Sequence, residues 1–166
     1  MHMQSTTHTQ STAPIPTTAL LVSSTNFNWV GLRGTLAGWP ELRVIDDVQQ
    51  HEPALRITTQ EHPDLILLAS DLATLRLVRD LHTASPSSRV VVLDQRLEPE
   101  TYSQLDALGV AGFIQWKAVT PERIRLALAT ICEGQLYVGC KEAIHPIGCA
   151  PNRASTYNHH RGVARR

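Results

Sequence analysis

The stretch Pro63-Asp64-Leu65-Ile66-Leu67-Leu68-Ala69-Ser70-Asp71 decides the fold. A proline that stops a helix is followed by a charged residue, an unbroken apolar run and then polar residues. Strands covered on both faces lose the apolar/polar alternation, so this run predicts the buried central strand of a parallel sheet. In open sheets of that kind, ligands and chemistry sit outside the carboxyl ends of the strands. The address of any activity is therefore Ala69, and alanine has no reactive group.

Outward from this run the pattern repeats. On the amino side, Thr18-Ala19-Leu20-Leu21-Val22 reads as a strand ending at Ser23-Ser24. A helix capped by Asn26 or Asn28 follows, with Trp29, Leu32 and Leu36 on one face. Gly31 and Gly34 weaken it, by about 1 kcal/mol each relative to Ala. Residues 42–48 form a second strand, and Pro53 is expected to open a helix that stops before Pro63. On the carboxyl side, Thr74, Leu77, Val78 and Leu81 share a helical face. Arg89-Val90-Val91-Val92-Leu93-Asp94 is a fourth strand. A helix from Glu98 presents Tyr102, Leu105 and Leu108 and stops at Gly109.

Gly112-Phe113-Ile114-Gln115-Trp116 is a fifth strand. The last helix has Thr120 as cap, Pro121 at its first position, Glu122 in its first turn and Gly134 as its stop. Gln135 to Val138 adds a short extended end. Five strands alternating with five helices over residues 17–138 call for an α/β fold with a parallel sheet, and right-handed crossovers make it a doubly wound three-layer sandwich. Residues 1–16 read as a disordered leader and residues 139–166 as a tail without periodicity.

Composition narrows the function classes. Fifteen basic and fifteen acidic residues cancel, which gives no electrostatic case for direct nucleic-acid or anionic-membrane binding. The leader lacks the basic and apolar regions of a secretory signal, and no apolar run approaches the roughly 20 residues of a membrane span. Cys132, Cys140 and Cys149 are an odd, sparse set, so a reducing cytoplasm is the expected home. Cys140, His145, Cys149, His159 and His160 match no zinc spacing, and neither metal nor cofactor is expected. Arg161, Arg165 and Arg166 end the chain as a solvated basic terminus.

Several pieces resemble a known family in their order and spacing. They are Leu32-Arg33-Gly34-Thr35-Leu36, Pro63 to Leu68, Arg89 to Leu93, Leu108-Gly109-Val110-Ala111-Gly112-Phe113-Ile114 leading to Thr120-Pro121-Glu122, and Glu133-Gly134-Gln135-Leu136-Tyr137-Val138. Over residues 17–138 the chain resembles a bacterial response-regulator receiver (CheY-like) domain of LuxR/NarL type. The resemblance implies a flavodoxin-like fold, a five-stranded parallel sheet in the order 2-1-3-4-5. No helical period follows Val138, so the family's helix-turn-helix domain is not expected.

A receiver of that family takes a phosphoryl group on an aspartate ending the third strand. Acidic residues after the first strand hold Mg²⁺, a hydroxyl residue ends the fourth strand and a lysine ends the fifth. Mg²⁺ is a hard ion that favours oxygen ligands, and metal and lysine together neutralise charge on the transferred group. Carried over residue by residue, the acidic positions hold Ser23 and Ser24, the phosphoacceptor position holds Ala69, and the hydroxyl position holds Asp94. The lysine position is Trp116 counted from Gly109, and Lys117 counted from Thr120-Pro121-Glu122, the firmer anchor. The loop after Ala69 is several residues short of the family pattern. The resemblance thus implies a degenerate, non-enzymatic pseudo-receiver, a protein-interaction module in bacterial signalling.

Alternatives come from the same residues. Asp71 is either a displaced phosphoacceptor or the cap of the following helix, and the cap is favoured. Asp94 and Lys117 either form a salt bridge that fixes the old switch or are unrelated solvated charges. Ser23, Ser24, Ser70 and Asp94 could hold a small molecule; no base is placed to make the serines nucleophiles. The family's partner or homodimer face maps onto residues 98–133, with Tyr102, Trp116, Arg123 and Arg125 as interface candidates.

Overall fold

All five side chains of Leu65–Ala69 are buried, and this strand, β3, lies inside the sheet. Five successive apolar residues are accommodated only where helices cover both faces. In the computed structural model, β3 pairs in parallel with β1 (Thr17–Val22) and β4 (Arg89–Leu93). Outside these lie β2 (Leu42–Val48) next to β1, β5 (Gly112–Ile114) next to β4, and β6 (Tyr137–Gly139) next to β5. The structure describes residues 17–24, 30–93, 98–115, 120–134 and 137–139.

The order is β2-β1-β3-β4-β5-β6, with every neighbouring pair parallel. The expected 2-1-3-4-5 arrangement is present, and the fold is flavodoxin-like. A sixth strand extends it at the position read from sequence only as a short extended end. Its last residue, Gly139, falls in the stretch expected from sequence to be tail.

The helices are α1 (Val30–Ala37), α2 (His51–Glu61), α3 (Leu75–Ala84), α4 (Pro99–Ala107) and α5 (Pro121–Cys132). Side chains alternate across a strand, so the sheet separates two cores. Leu65, Leu67 and Ala69 join Leu32 and Leu36 of α1 and Ile124, Leu128 and Ile131 of α5. Ile66 and Leu68 join Ala54 of α2, Leu77, Val78 and Leu81 of α3 and Leu105 of α4. That is the doubly wound sandwich.

Helix ends follow local chemistry, with two corrections. The hydroxyl of Thr120 accepts from the Arg123 N–H at 3.4 Å, and Pro121 stands at the first turn of α5. Gly109 and Gly134 adopt φ of +86° and +85°, the left-handed geometry of helix stops. The first correction is α2, which begins at His51, so Pro53 sits inside its first turn rather than opening it. Proline is tolerated there because the first four N–H groups have no intrahelical acceptor. The second is α3, capped by Thr74 at 3.2 Å from the Leu77 N–H, and not by Asp71.

The amino ends of the strands are tied by side chains. One Asp64 carboxylate oxygen accepts from the Thr18 N–H at 2.7 Å and from its hydroxyl at 2.8 Å. The buried Ser88 hydroxyl donates to the Pro63 carbonyl at 2.5 Å, joining the starts of β3 and β4.

Candidate functional site at the carboxyl ends of β1 and β3

The sheet order reverses between β1 and β3, which makes their carboxyl ends the switch point of the fold. Ala69 is 0% exposed and its methyl group belongs to the core on the α1/α5 side, with Leu21, Leu93 and Ile114. It pairs in register with Leu93. The next residue, Ser70, donates its N–H to the Leu93 carbonyl at 3.0 Å, which continues the pairing for one step.

The chain then turns tightly, with the Leu72 N–H on the Ala69 carbonyl at 3.0 Å and the Ala73 N–H on the Ser70 carbonyl at 3.2 Å. Asp71 is the exposed residue of this turn. Because Thr74 caps α3, the Asp71 carboxylate is not used as a cap, and it accepts a hydrogen bond from the Ser24 hydroxyl at the end of β1. Ser23, beside Ser24, is buried; its N–H donates to the Val48 carbonyl at 3.0 Å, and its hydroxyl oxygen is buried without a hydrogen-bond partner. The structure therefore brings Ser23, Ser24, Ala69 and Asp71 to one end of the sheet.

These residues do not fit Mg²⁺. The ion needs several hard oxygen donors, usually including more than one carboxylate. The described ends of β1 and β3 offer one carboxylate, Asp71, already engaged by Ser24, and the neutral hydroxyls of Ser23, Ser24 and Ser70, while Asp47 near the end of β2 is paired with Arg33. Asp94, Trp116 and Lys117 lie outside the described residues, as does the suggested Asp94–Lys117 pair.

Sequence reasoning missed the carboxylate of Asp47 on β2. It pairs with Arg33 of α1 at 3.2 Å, while its other carboxylate oxygen is buried without a partner. Burial pushes its pKa above the ordinary aspartate value, Arg33 opposes that rise, and neighbouring Asp46 adds to it. The Asp46-Asp47 pair at the end of an edge strand was the available signal. Its partner, 14 residues earlier, was not deducible.

The interface candidates separate. The Tyr102 ring of α4 packs on Phe113 of β5, with centroids 4.4 Å apart and planes tilted by 41°. It is half-buried against the α2–α4 side of the sheet. Arg123 of α5 is exposed. Arg125 of α5 reaches Glu41 at 2.5 Å, in the turn before β2. The two helices cover opposite faces of the sheet. The residue missed on α5 is Leu126, 65% exposed and off the Ile124/Leu128/Ile131 stripe. A groove of about 700 Å³ lies elsewhere, along the first turns of α2 and lined by Gln50, His51 and Arg56 among others.

No family model matches the sequence, and no curated protein matches it. Solved structures do match in shape. A LuxR-family two-component response regulator from Aurantimonas sp. SI85-9A1 superposes with a TM-score of 0.66 at 16% identity, over 74% of this chain and 89% of that one. A LuxR-family DNA-binding response regulator from Silicibacter pomeroyi gives 0.60 at 24% identity, over 74% and 96%. The non-phosphorylated receiver domain of the stress response regulator RcsB from Escherichia coli gives 0.66 at 14% identity, over 75% and 99%. The chain has the receiver fold of response regulators. Among the described residues, no helix is long and apolar enough to cross a membrane.

Proposed function

We propose that this chain is a degenerate receiver, a phosphorylation-independent protein-interaction module in bacterial signal transduction. The observation that carries the reading is Ala69. At the end of β3, where the resemblance puts the phosphoacceptor, stands a methyl group buried in the core. It cannot accept a phosphoryl group, and the hydroxyls of Ser23 and Ser24 replace the carboxylates that would hold the metal. The function then rests on surfaces. It needs neither cofactor nor metal, touches neither nucleic acid nor membrane directly, and belongs in the cytoplasm. Its partner is a regulatory protein or a second copy, engaged through residues 98–133, where Arg123 and Leu126 are exposed.

The test is incubation with acetyl phosphate and Mg²⁺ followed by intact-mass measurement, with affinity capture from the native host. The expected result is no phosphoryl adduct and a captured partner that is indifferent to the phosphodonor. A stoichiometric adduct would overturn the reading.

One observation favours a second reading, phosphorylation at Asp71. This carboxylate is exposed at the mouth of the switch point and already oriented by Ser24. An adduct lost in Asp71→Ala would establish it. The partnerless hydroxyl of Ser23 favours a third, a small-molecule sensor at the strand ends, which thermal-shift measurements against metabolites would detect.

A further inference from the structure

The sheet has two lateral sides, and they are guarded in different ways. On one side, β2 is the edge. It carries Arg43, Asp46 and Asp47, and its pairing with β1 is interrupted by a register shift between Ala19 and Leu20. Charges and irregular pairing both discourage a foreign strand from adding to an edge. On the other side, β5 has neither device. Gly112, Phe113 and Ile114 are uncharged and buried, and Gln115 after them is neutral. Left bare, that edge would present unpaired backbone groups next to apolar side chains, the usual template for pairing with another chain.

The chain covers it with β6. Gly112 pairs with Tyr137, Phe113 with Val138 and Ile114 with Gly139. Gly134 ends α5 in the left-handed conformation, and β6 begins at Tyr137. The new edge is only three residues long, and short edges are themselves poor templates.

We infer that Tyr137–Gly139 is a built-in guard of the β5 edge, and that its release lets β5 pair with β5 of a second copy. The second copy is the fitting occupant because the exposed edge is self-complementary. Two identical uncharged strands can pair antiparallel about a two-fold axis, joining two sheets into one, with no like charges brought face to face. This deepens the second-copy reading of residues 98–133 by naming the β5 edge within them, and it stands or falls separately from the reading of Ala69. It also means that a partner reaching residues 98–133 meets helix surfaces and β6, while the backbone of β5 stays covered.

The experiment uses the full chain. Backbone N–H groups of successive strand residues point to opposite sides, so one of Val138→Pro and Gly139→Pro removes a donor facing β5 and the other a donor facing outward. Sedimentation over a concentration series, with far-UV circular dichroism as the folding control, compares both with the wild type. The expected result is self-association at least about ten-fold tighter in one of the two, and abolished when Gln115→Lys is added to it. Wild-type association in both would overturn the inference, as would an increase that survives Gln115→Lys. Should either proline prevent folding, Val138→Gly keeps every donor while lowering strand propensity. It is expected to strengthen self-association several-fold, and no change would again overturn the inference.

Discussion

The hydroxyl of Ser24 donates to the carboxylate of Asp71, joining the ends of β1 and β3 across the switch point of the sheet. The two residues are 47 positions apart in sequence. A side-chain hydrogen bond thus ties the ends of these two strands together.

That bond is exposed, so its energetic contribution is small. Ser24→Ala and Asp71→Ala are each expected to lower stability by about 1 kcal/mol or less. In a double-mutant cycle by urea unfolding, the double variant should lose less than the sum of the singles. Strict additivity would show that the contact contributes nothing to stability.

Under the proposed function, a carboxylate placed at position 69 should not accept a phosphoryl group. Ala69 is fully buried among apolar side chains, so Ala69→Asp places an unpaired acid in the core. A loss of about 3 kcal/mol or more is expected, with no phosphoryl adduct from acetyl phosphate. A stable, labelled Ala69→Asp protein would show that the rest of the pocket still functions.

His82, near the end of α3, has a ring nitrogen buried without a partner, and burial pushes its pKa below the ordinary histidine value. As pH falls through about 6.5, the unfolded chain takes up this proton before the folded one does. Its contribution to stability is therefore present above that pH and lost progressively below it. Melting temperatures measured from about pH 7.5 down to 5 should fall for the wild type and fall less steeply for His82→Gln.

Asp47 carries the opposite sign. Its folded pKa is raised, so the folded state binds the proton more readily, and the associated stability is lost as pH rises through that value. Arg33 offsets this loss by pairing with the ionised form. Arg33→Met is expected to lower stability by about 1 kcal/mol near neutral pH and by less near pH 4. Asp47→Asn should be neutral or slightly stabilising near neutral pH, and chemical denaturation at the two pH values checks both.

Leu126 tests the proposed surface. It is 65% exposed, so Leu126→Asp should change stability by no more than about 0.5 kcal/mol. If α5 takes part in partner binding, affinity capture should drop sharply while the melting temperature holds. Undiminished capture would place the partner elsewhere.

The sequence by itself determined the layers and most element ends. Unbroken apolar runs marked β3 and β4 as strands covered on both sides. The stripe Ile124/Leu128/Ile131 marked the buried face of α5, and Thr120-Pro121 with Gly134 fixed its ends. These are local features, set by the periodicity of burial and by backbone groups a few residues apart. That an alanine ends β3 was equally legible, because it is a matter of residue type. Only the tertiary structure decided which polar groups meet. Ser24 with Asp71, Arg33 with Asp47, and Arg125 with Glu41 across 84 residues depend on strand register and on which sheet face each helix covers. The same holds for β6. Its sequence shows a short extended segment, but the uncovered edge it pairs with exists only once the other five strands are assembled.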